Sequence, residues 1–86
     1  MEEIKEIVWT EKFEKEFKKI KDRIIQDRIE KQIKKIKENP GFGKPLRHNL
    51  KGERTVRIDP FRLIYSIIGY KLYLLRFEHR KKVYWG

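Results

Sequence analysis

The residues of this sequence best suited to chemistry are arginines, and they are concentrated in its C-terminal part. The guanidinium group keeps its charge at any ordinary pH and offers a planar fork of N–H donors that fits the oxygens of a phosphate. This composition predicts an anion site in the C-terminal half. Six of the eight arginines follow residue 46, namely Arg47, Arg54, Arg57, Arg62, Arg76 and Arg80.

The distribution of charge favours the same interpretation. The 86 residues have a formal net charge of +10. Residues 54–86 hold eight Lys and Arg against two Asp and Glu, whereas residues 1–39 are nearly balanced, with 12 against 10. Opposite charges in residues 1–39 often stand four apart, as in Glu11/Lys15, which is typical of a solvated helix face. The alternative explanation is a basic surface that only keeps the protein in solution.

Metal and nucleotide-loop chemistry find little support in the sequence. There is no cysteine, the only histidines are His48 and His79, and their spacing resembles no zinc or two-metal site. The run from Gly41 to Lys44 is glycine-rich but lacks the spacing of a phosphate-binding loop. We therefore expect a site that needs no cofactor.

RNA can be cleaved by such a site, because its own 2′-hydroxyl can attack the adjacent phosphate. Clustered arginines can hold that phosphate in line and stabilise the negative charge that develops on it. A proton acceptor and a proton donor would accelerate the step, and Tyr84, His79 or a lysine of lowered pKa could serve. Tyr84 or Trp85 could instead stack on a base.

Two helices are predicted to precede the arginine-rich part. Apolar residues recur at helical spacing over residues 13–24 and again over residues 25–36, and both stripes are predicted to lie in the core. Thr10 and Asp22 are suitable N-caps for the two helices. The run Asn39-Pro40-Gly41 ends the second helix.

Strands are predicted on both sides of the helices. One lies within residues 4–9 and three follow a loop over residues 40–53, which Phe42, Leu46 and Leu50 would order. The last three are predicted at 54–58, 61–68 and 72–77, with Asp59-Pro60 and Gly69-Tyr70 as turns. The order β-α-α-β-β-β predicts a single α+β domain, residues 1–86, with a helical hairpin on one face of a small antiparallel sheet.

The other face of that sheet is expected to be open. Arg62 interrupts an otherwise apolar strand, so it requires a partner or a solvated groove. The chain has no apolar run of about 18 residues and begins with a charged segment unlike a signal peptide, so no membrane span and a cytoplasmic location are expected.

Two C-terminal motifs resemble the RelE/ParE toxin superfamily, and especially its RelE-type mRNA interferases. Segment 57–66, RIDPFRLIYS, resembles the family signature of a basic strand end, a short turn and then aromatic-Arg-aliphatic-aliphatic-Tyr. Segment 79–84 resembles the closing His-Arg-x-x-x-Tyr, and segment 44–52 resembles the Leu- and Gly-containing approach to the sheet. The order of elements is similar as well, so the resemblance covers nearly the whole chain.

The resemblance implies a type II toxin that enters the ribosomal A site and cleaves mRNA, leaving a 2′,3′-cyclic phosphate. It also implies that a RelB-type antitoxin binds and inactivates the protein. Arg57, Arg62 and Arg80 match residues that bind phosphate and stabilise the transition state, and Tyr84 matches a tyrosine that stacks or exchanges a proton. Further residues expected to contact RNA or the ribosome are Lys44, Arg47, Lys51, Arg54, His79, Lys81 and Lys82.

One position departs from the family pattern. Thr55 stands where the family often has another basic residue, two before Arg57, and Arg54 is the neighbour that could compensate. The identity of the general base therefore stays open. Two alternatives also stay open: a ParE-like toxin of the same fold that poisons DNA gyrase without a nuclease site, and a non-catalytic RNA- or ribosome-binding module.

Overall fold

The computed structural model describes residues 3–46 and 52–79, which form two helices packed on one face of a five-stranded sheet. This arrangement confirms the predicted α+β fold. The sheet order is β1-β5-β4-β3-β2. In chain order the elements are β1 (Glu6–Trp9), α1 (Glu11–Lys19), α2 (Arg23–Glu38), β2 (Lys44–Pro45), β3 (Arg54–Ile58), β4 (Phe61–Ile68) and β5 (Lys71–His79).

The helix ends are formed by the residues that the sequence indicated. The side chain of Thr10 accepts a hydrogen bond from the Phe13 amide at 3.3 Å, and Asp22 Oδ1 accepts one from the Ile24 amide at 2.9 Å. Each cap satisfies an N–H group that has no partner within its helix. Asn39 is the C-cap of α2, as predicted.

The core lies between the sheet and the helices. Its buried apolar side chains are Ile4, Phe13, Ile29, Ile33, Ile36, Val56, Ile58, Leu63, Tyr65, Leu72, Leu74 and Phe77. The prediction that Ile24 belongs to this core is wrong, since its side chain is 72% exposed. The helical stripe breaks there because α1 ends at Lys19 and Ile24 belongs to the first turn of the next helix, α2.

The sheet is antiparallel except at one edge of the described structure. β3 pairs antiparallel with β4, and β4 with β5, whereas β1 pairs parallel with β5. The hydroxyl of Thr10 fixes the end of β1 by donating to the Leu74 carbonyl at 2.6 Å. Parallel pairing is possible because β1 and β5 are joined through the helices and the other strands rather than by a hairpin.

The predicted loop over residues 40–53 contains the short strand β2, which pairs with Arg54 and Thr55 of β3. Phe42, one of the residues expected to order this loop, is 41% exposed and so packs only in part against the rest of the protein. Hydrogen bonds to the sheet hold the segment, as described below. Leu50 lies outside the described residues.

A bulge in the pairing of β4 with β5 decides which β5 residues face away from the helices. The register shifts between Ile64 and Tyr65, so Ile64 pairs with Arg76 and Tyr65 with Leu74. The extra residue on β5 resets the alternation of side chains, and Arg76 lies on the face away from the core. None of the helices in residues 3–46 and 52–79 is long and apolar enough to cross a membrane.

Candidate functional site

A row of charged residues crosses the face of the sheet that lies away from the helices. Arg57 of β3 pairs in register with Arg62 of β4, and Arg62 pairs with Glu78 of β5. Arg57 Nε lies 3.3 Å from Asp59 Oδ1, but both side chains are 61% exposed, so this ion pair is weak. Arg62 is half-buried and forms no ion pair or hydrogen bond with any side chain of residues 3–46 and 52–79.

A groove of about 470 Å³ opens beside Arg62. Residues of α2, β3, β4 and the segment that leads into β2 line it, among them Phe42, Lys44, Thr55, Arg57 and Arg62. Three of these side chains carry a positive charge, and no carboxylate is among the described lining residues. Such a groove attracts anions, and the arginines can bind two oxygens of one phosphate.

Arg76, on the same face, has a different environment. Its Nη2 lies 3.0 Å from Glu53 Oε1, and its Nε lies 2.7 Å from Glu78 Oε1. Burial by itself lowers the pKa of Arg76, but the hydrogen bonds and charges of Glu53 and Glu78 outweigh it and leave that pKa above its ordinary value. Arg76, Glu53 and Glu78, called the Arg76 cluster below, form an ion-pair network in which the guanidinium already has carboxylate partners.

The groove is bordered by residues 40–45, called the rim segment below. The Gly43 amide donates to the hydroxyl of Tyr65 at 2.8 Å, and that hydroxyl donates to the Pro40 carbonyl at 3.0 Å. Arg54 Nη1 donates to the Gly43 carbonyl at 2.6 Å. Burial raises the pKa of Tyr65, against the opposing effects of the Gly43 amide and the Arg54 charge. The buried phenol thus anchors the rim segment.

Gly43 is required where the rim segment meets the sheet. A Cβ atom at this position would lie 2.7 Å from the ring and hydroxyl of Tyr65 and 2.9 Å from the Thr55 carbonyl. The close approach also leaves Thr55 Oγ1 buried beside the groove without a hydrogen-bond partner among the described residues. The rim segment therefore packs so closely against β3 and β4 that no side chain fits at Gly43.

The structure brings together three of the predicted site residues, Arg57, Arg62 and Lys44, on the groove. Arg54 instead bonds the rim segment. His79 follows the alternation of Phe77 onto the helix side of β5, where its ring packs edge-on against Phe61 with centroids 5.4 Å apart. The remaining predicted residues lie outside the described part of the chain, namely Arg47, Lys51, Arg80, Lys81, Lys82 and Tyr84.

Sequence reasoning missed the Arg76 cluster and the anchoring role of Tyr65. Glu78 stands two residues after Arg76, a spacing that puts both side chains on one face of a strand. The pair of Arg76 with Glu78 could therefore have been predicted from the sequence. Glu53 reaches Arg76 only through the pairing of β3, β4 and β5, which has no local signal. Within residues 3–46 and 52–79, no three His, Asp or Glu side chains gather as metal ligands.

Comparison with known proteins places the chain in a family. No curated protein sequence matches it. Its structure is similar to the YoeB/ParE toxin from Agrobacterium tumefaciens, with a TM-score of 0.76 and 21% identity over 87% of this chain and 98% of that one. It is also similar to the toxin–antitoxin complex RelBE2 from Mycobacterium tuberculosis, with a TM-score of 0.71 and 28% identity over 86% and 95%.

The chromosomal ParDE system from P. aeruginosa matches with a TM-score of 0.66 and 19% identity over 88% of this chain and 96% of that one. Across the sequence, residues 7–84 match the family described as the ParE toxin of the type II toxin–antitoxin system parDE. That match spans most of the chain and agrees with the fold and with the resemblance of segment 57–66. The protein is therefore a member of the ParE toxin family and has the fold shared by RelE, YoeB and ParE toxins.

Proposed function

We propose that this toxin is a ribosome-dependent mRNA endoribonuclease that works without a metal ion. The observation that carries the proposal is Arg62, a half-buried cation without a partner among the described residues, at a groove it shares with Arg57 and Lys44. An unpaired charge in a half-buried position is costly, so its retention favours an anionic ligand. RNA phosphate is the ligand that the family resemblance implies.

In the proposed reaction the 2′-oxygen attacks the phosphorus, and the bond from phosphorus to the 5′-oxygen of the next nucleotide breaks. Arg62 and Arg57 bind the two non-bridging oxygens of the phosphate, which holds it in line and stabilises its developing charge. The proton of the 2′-hydroxyl passes to a base, and the leaving oxygen receives a proton. Arg80 completes the phosphate site and Tyr84 exchanges a proton or stacks on a base.

The ribosome has a defined role in this proposal. A single groove of about 470 Å³ can hold a phosphate but cannot orient the nucleotides on both sides of it. We infer that the ribosomal A site supplies this orientation and that Lys44, Arg47, Lys51, Arg54, His79, Lys81 and Lys82 supply contacts to rRNA or mRNA. The cytoplasm, where ribosomes are, is the location that fits.

A RelB-type antitoxin is the proposed protein partner. The structures similar to this chain include the toxin–antitoxin complex RelBE2 from Mycobacterium tuberculosis and the RelBE complex from E. coli. A chain with a net charge of +10 and a positive groove suits a partner whose toxin-binding segment is acidic. Such a segment would compete with RNA phosphate for Arg57 and Arg62.

The deciding experiment adds the purified toxin to ribosomes programmed with a defined mRNA and maps the new mRNA ends. We expect cleavage by the wild type and its loss in Arg62→Ala and Arg57→Ala. Lys15→Ala is the matched control, because it removes an exposed helix cation paired with Glu11, away from the groove. Intact mRNA with the wild type would overturn the proposal, and undiminished cleavage by Arg62→Ala would remove Arg62 from the site.

A second candidate function has its own supporting observation. The matched family is named for ParE, and a ParDE system is among the similar structures. A ParE-like toxin would act on DNA gyrase and would need no phosphate-cleaving groove. A gyrase supercoiling assay beside the ribosome assay separates the two, since inhibition of gyrase by both the wild type and Arg62→Ala, with mRNA intact, favours the alternative.

A further inference from the structure

We propose that the rim segment holds a nucleotide subsite in which the ring of Phe42 stacks on a base of single-stranded RNA and Lys44 contacts the neighbouring phosphate. The subsite rests on the proposed function only for the identity of its ligand as RNA. It concerns binding rather than cleavage, so it can be tested without any reaction.

Phe42 differs from the other phenylalanines of the chain in its surroundings. Phe13 and Phe77 are buried in the core, and Phe17 and Phe61 pack against it, whereas the Phe42 side chain is 41% exposed and lines the groove. A phenylalanine with this exposure contributes less to folding than one buried in the core. Aromatic rings interleaved with basic side chains are the common means by which proteins bind single-stranded nucleic acid.

The charges around this ring are positive. Lys44 and Phe42 both line the groove with only Gly43 between them, and Lys35 Nζ of α2 lies 5.8 Å from the centroid of the Phe42 ring. The chain bends at Gly43, and even a fully extended chain separates two such residues by about 6–7 Å, so Phe42 and Lys44 lie within the distance from a base to its own phosphate. The pair can therefore engage the base and the phosphate of one nucleotide.

The subsite is held in place before any ligand binds. Gly43 lies between Phe42 and Lys44. Its amide donates to the Tyr65 hydroxyl, and its carbonyl accepts from Arg54. The Phe42 amide also donates to the Asn39 carbonyl at 2.9 Å, in the turn that ends α2. Because these bonds fix the backbone, little of the binding free energy is lost in ordering it.

The test measures the affinity of a short single-stranded RNA whose 2′-oxygens are methylated, so that the 2′-hydroxyl attack cannot occur. Fluorescence anisotropy over a series of salt concentrations separates stacking from charge. For Phe42→Leu we expect affinity to fall on the order of 10-fold at every salt concentration, with an unchanged salt slope. For Lys44→Ala we expect the slope of log K against log salt to fall by about 0.7.

Tyr70→Leu is the matched control, because Tyr70 is an exposed aromatic beside a lysine at the turn between β4 and β5, away from the groove. We expect it to bind as the wild type does. Phe42→Trp keeps a ring and should retain affinity, which separates stacking from any effect of Phe42→Leu on folding. Thermal unfolding followed by circular dichroism checks that each variant folds.

A series of RNAs, each with one base removed, completes the test as a double-mutant cycle. At one position the loss of the base should weaken binding to the wild type and leave binding to Phe42→Leu unchanged. Equal affinity of Phe42→Leu and the wild type, or an equal cost of base removal in both at every position, would overturn the subsite. Ribosomal cleavage that depends on Arg62 but not on Phe42 would leave the proposed function intact and remove only this inference.

Discussion

Arg62 and Arg76 lie in adjacent rows on the same face of the same sheet, yet their surroundings are opposite. Arg76 has carboxylate oxygens at 3.0 and 2.7 Å, from Glu53 and Glu78. Arg62 has no such partner among the described residues and opens on the groove. Both arginines lie within strands of the same basic region, so neither residue type nor overall charge distinguishes them.

Glu78 accounts for much of the difference. It stands opposite Arg62 in the register of β4 and β5, but its carboxylate bonds Arg76, its neighbour two residues back on the same strand. The carboxylate that could have neutralised Arg62 is thus held by another cation. A basic face does not make every arginine a phosphate ligand, because the arrangement of the few carboxylates decides which guanidinium is free.

The largest expected effect comes from removing the free arginine. Arg62→Ala should lower mRNA cleavage on ribosomes on the order of 100-fold, as loss of one transition-state donor does elsewhere. Its free energy of unfolding should stay within about 0.5 kcal/mol of the wild type, since no side-chain hydrogen bond or ion pair within the described residues is lost. Cleavage rates and urea unfolding curves of the same preparation test both halves. A large loss of stability in Arg62→Ala would show that the residue is structural, like Arg76.

The next effect concerns the border of the groove. Gly43→Ala should lower the free energy of unfolding by about 3 kcal/mol, because the added methyl group meets Tyr65 and a backbone carbonyl closer than 3 Å. Gly41→Ala is the matched control, since its Cβ would meet its nearest neighbour, Asn39 Oδ1, at 3.7 Å. Urea unfolding of both variants is the measurement. Equal stabilities would mean that the rim segment is not pressed against the sheet.

For Arg76, whose guanidinium is paired, we expect the reverse of Arg62, with the main effect of its removal on stability. Arg76→Ala should cost about 2 kcal/mol of unfolding free energy, because two partly buried carboxylates lose their partner. Lys71→Ala, which breaks an exposed pair with Glu6 at 3.8 Å, is the control and should cost less than about 0.5 kcal/mol. Chemical unfolding distinguishes them, and a similar small cost for both would contradict the contrast.

Arg76→Ala should also release Glu78 toward Arg62. We expect the affinity for single-stranded RNA to fall about 3-fold in the folded variant, as a half-exposed ion pair competes with phosphate. The double variant Arg76→Ala/Glu78→Gln should recover RNA affinity but not stability. Anisotropy titrations of the two variants decide the point, and no recovery in the double variant would mean that Glu78 does not compete for Arg62.

The smallest effect is a pH dependence carried by Tyr65. Its pKa is raised by burial above the ordinary value of 10.0, so the unfolded chain releases the phenol proton at lower pH than the folded one. The stabilisation is complete below about pH 10 and is lost as pH rises through the folded-state pKa. Comparing the unfolding free energies of the wild type and Tyr65→Phe from neutral to alkaline pH isolates this slope. Parallel curves would contradict it.

Local signals predicted most of the scaffold. Thr10, Asp22 and Asn39 bound the helices as their chemistry requires, and the charge of Arg62 within an otherwise apolar strand predicted that it needs a partner or a solvated groove. These features depend on neighbours within a few positions. The motif in segment 57–66 could be read for the same reason, since its residues occupy one hairpin.

The features that could not be predicted depend on contacts between distant segments. The bulge that turns Arg76 outward, the reach of Glu53 across β4, and the hydroxyl of Tyr65 that holds Gly43 all need the register of the assembled sheet. Phe42 was expected to order its loop, and nothing in the sequence indicated its exposure on the groove. Its exposure follows from the anchoring of the next residue to Tyr65, which leaves the ring on the groove side.

The parallel pairing of β1 with β5 has a consequence for the synthesis of the toxin. β1 leaves a ribosome before the helices and the other strands, but its only partner in the described sheet is β5, and the capping residue Thr10 bonds Leu74, 64 positions later. The nascent chain can form its helices early, while the sheet that carries Arg57 and Arg62 stays incomplete until β5 has emerged. A ribosome is thus exposed to the finished groove only after it has made nearly all of the described chain.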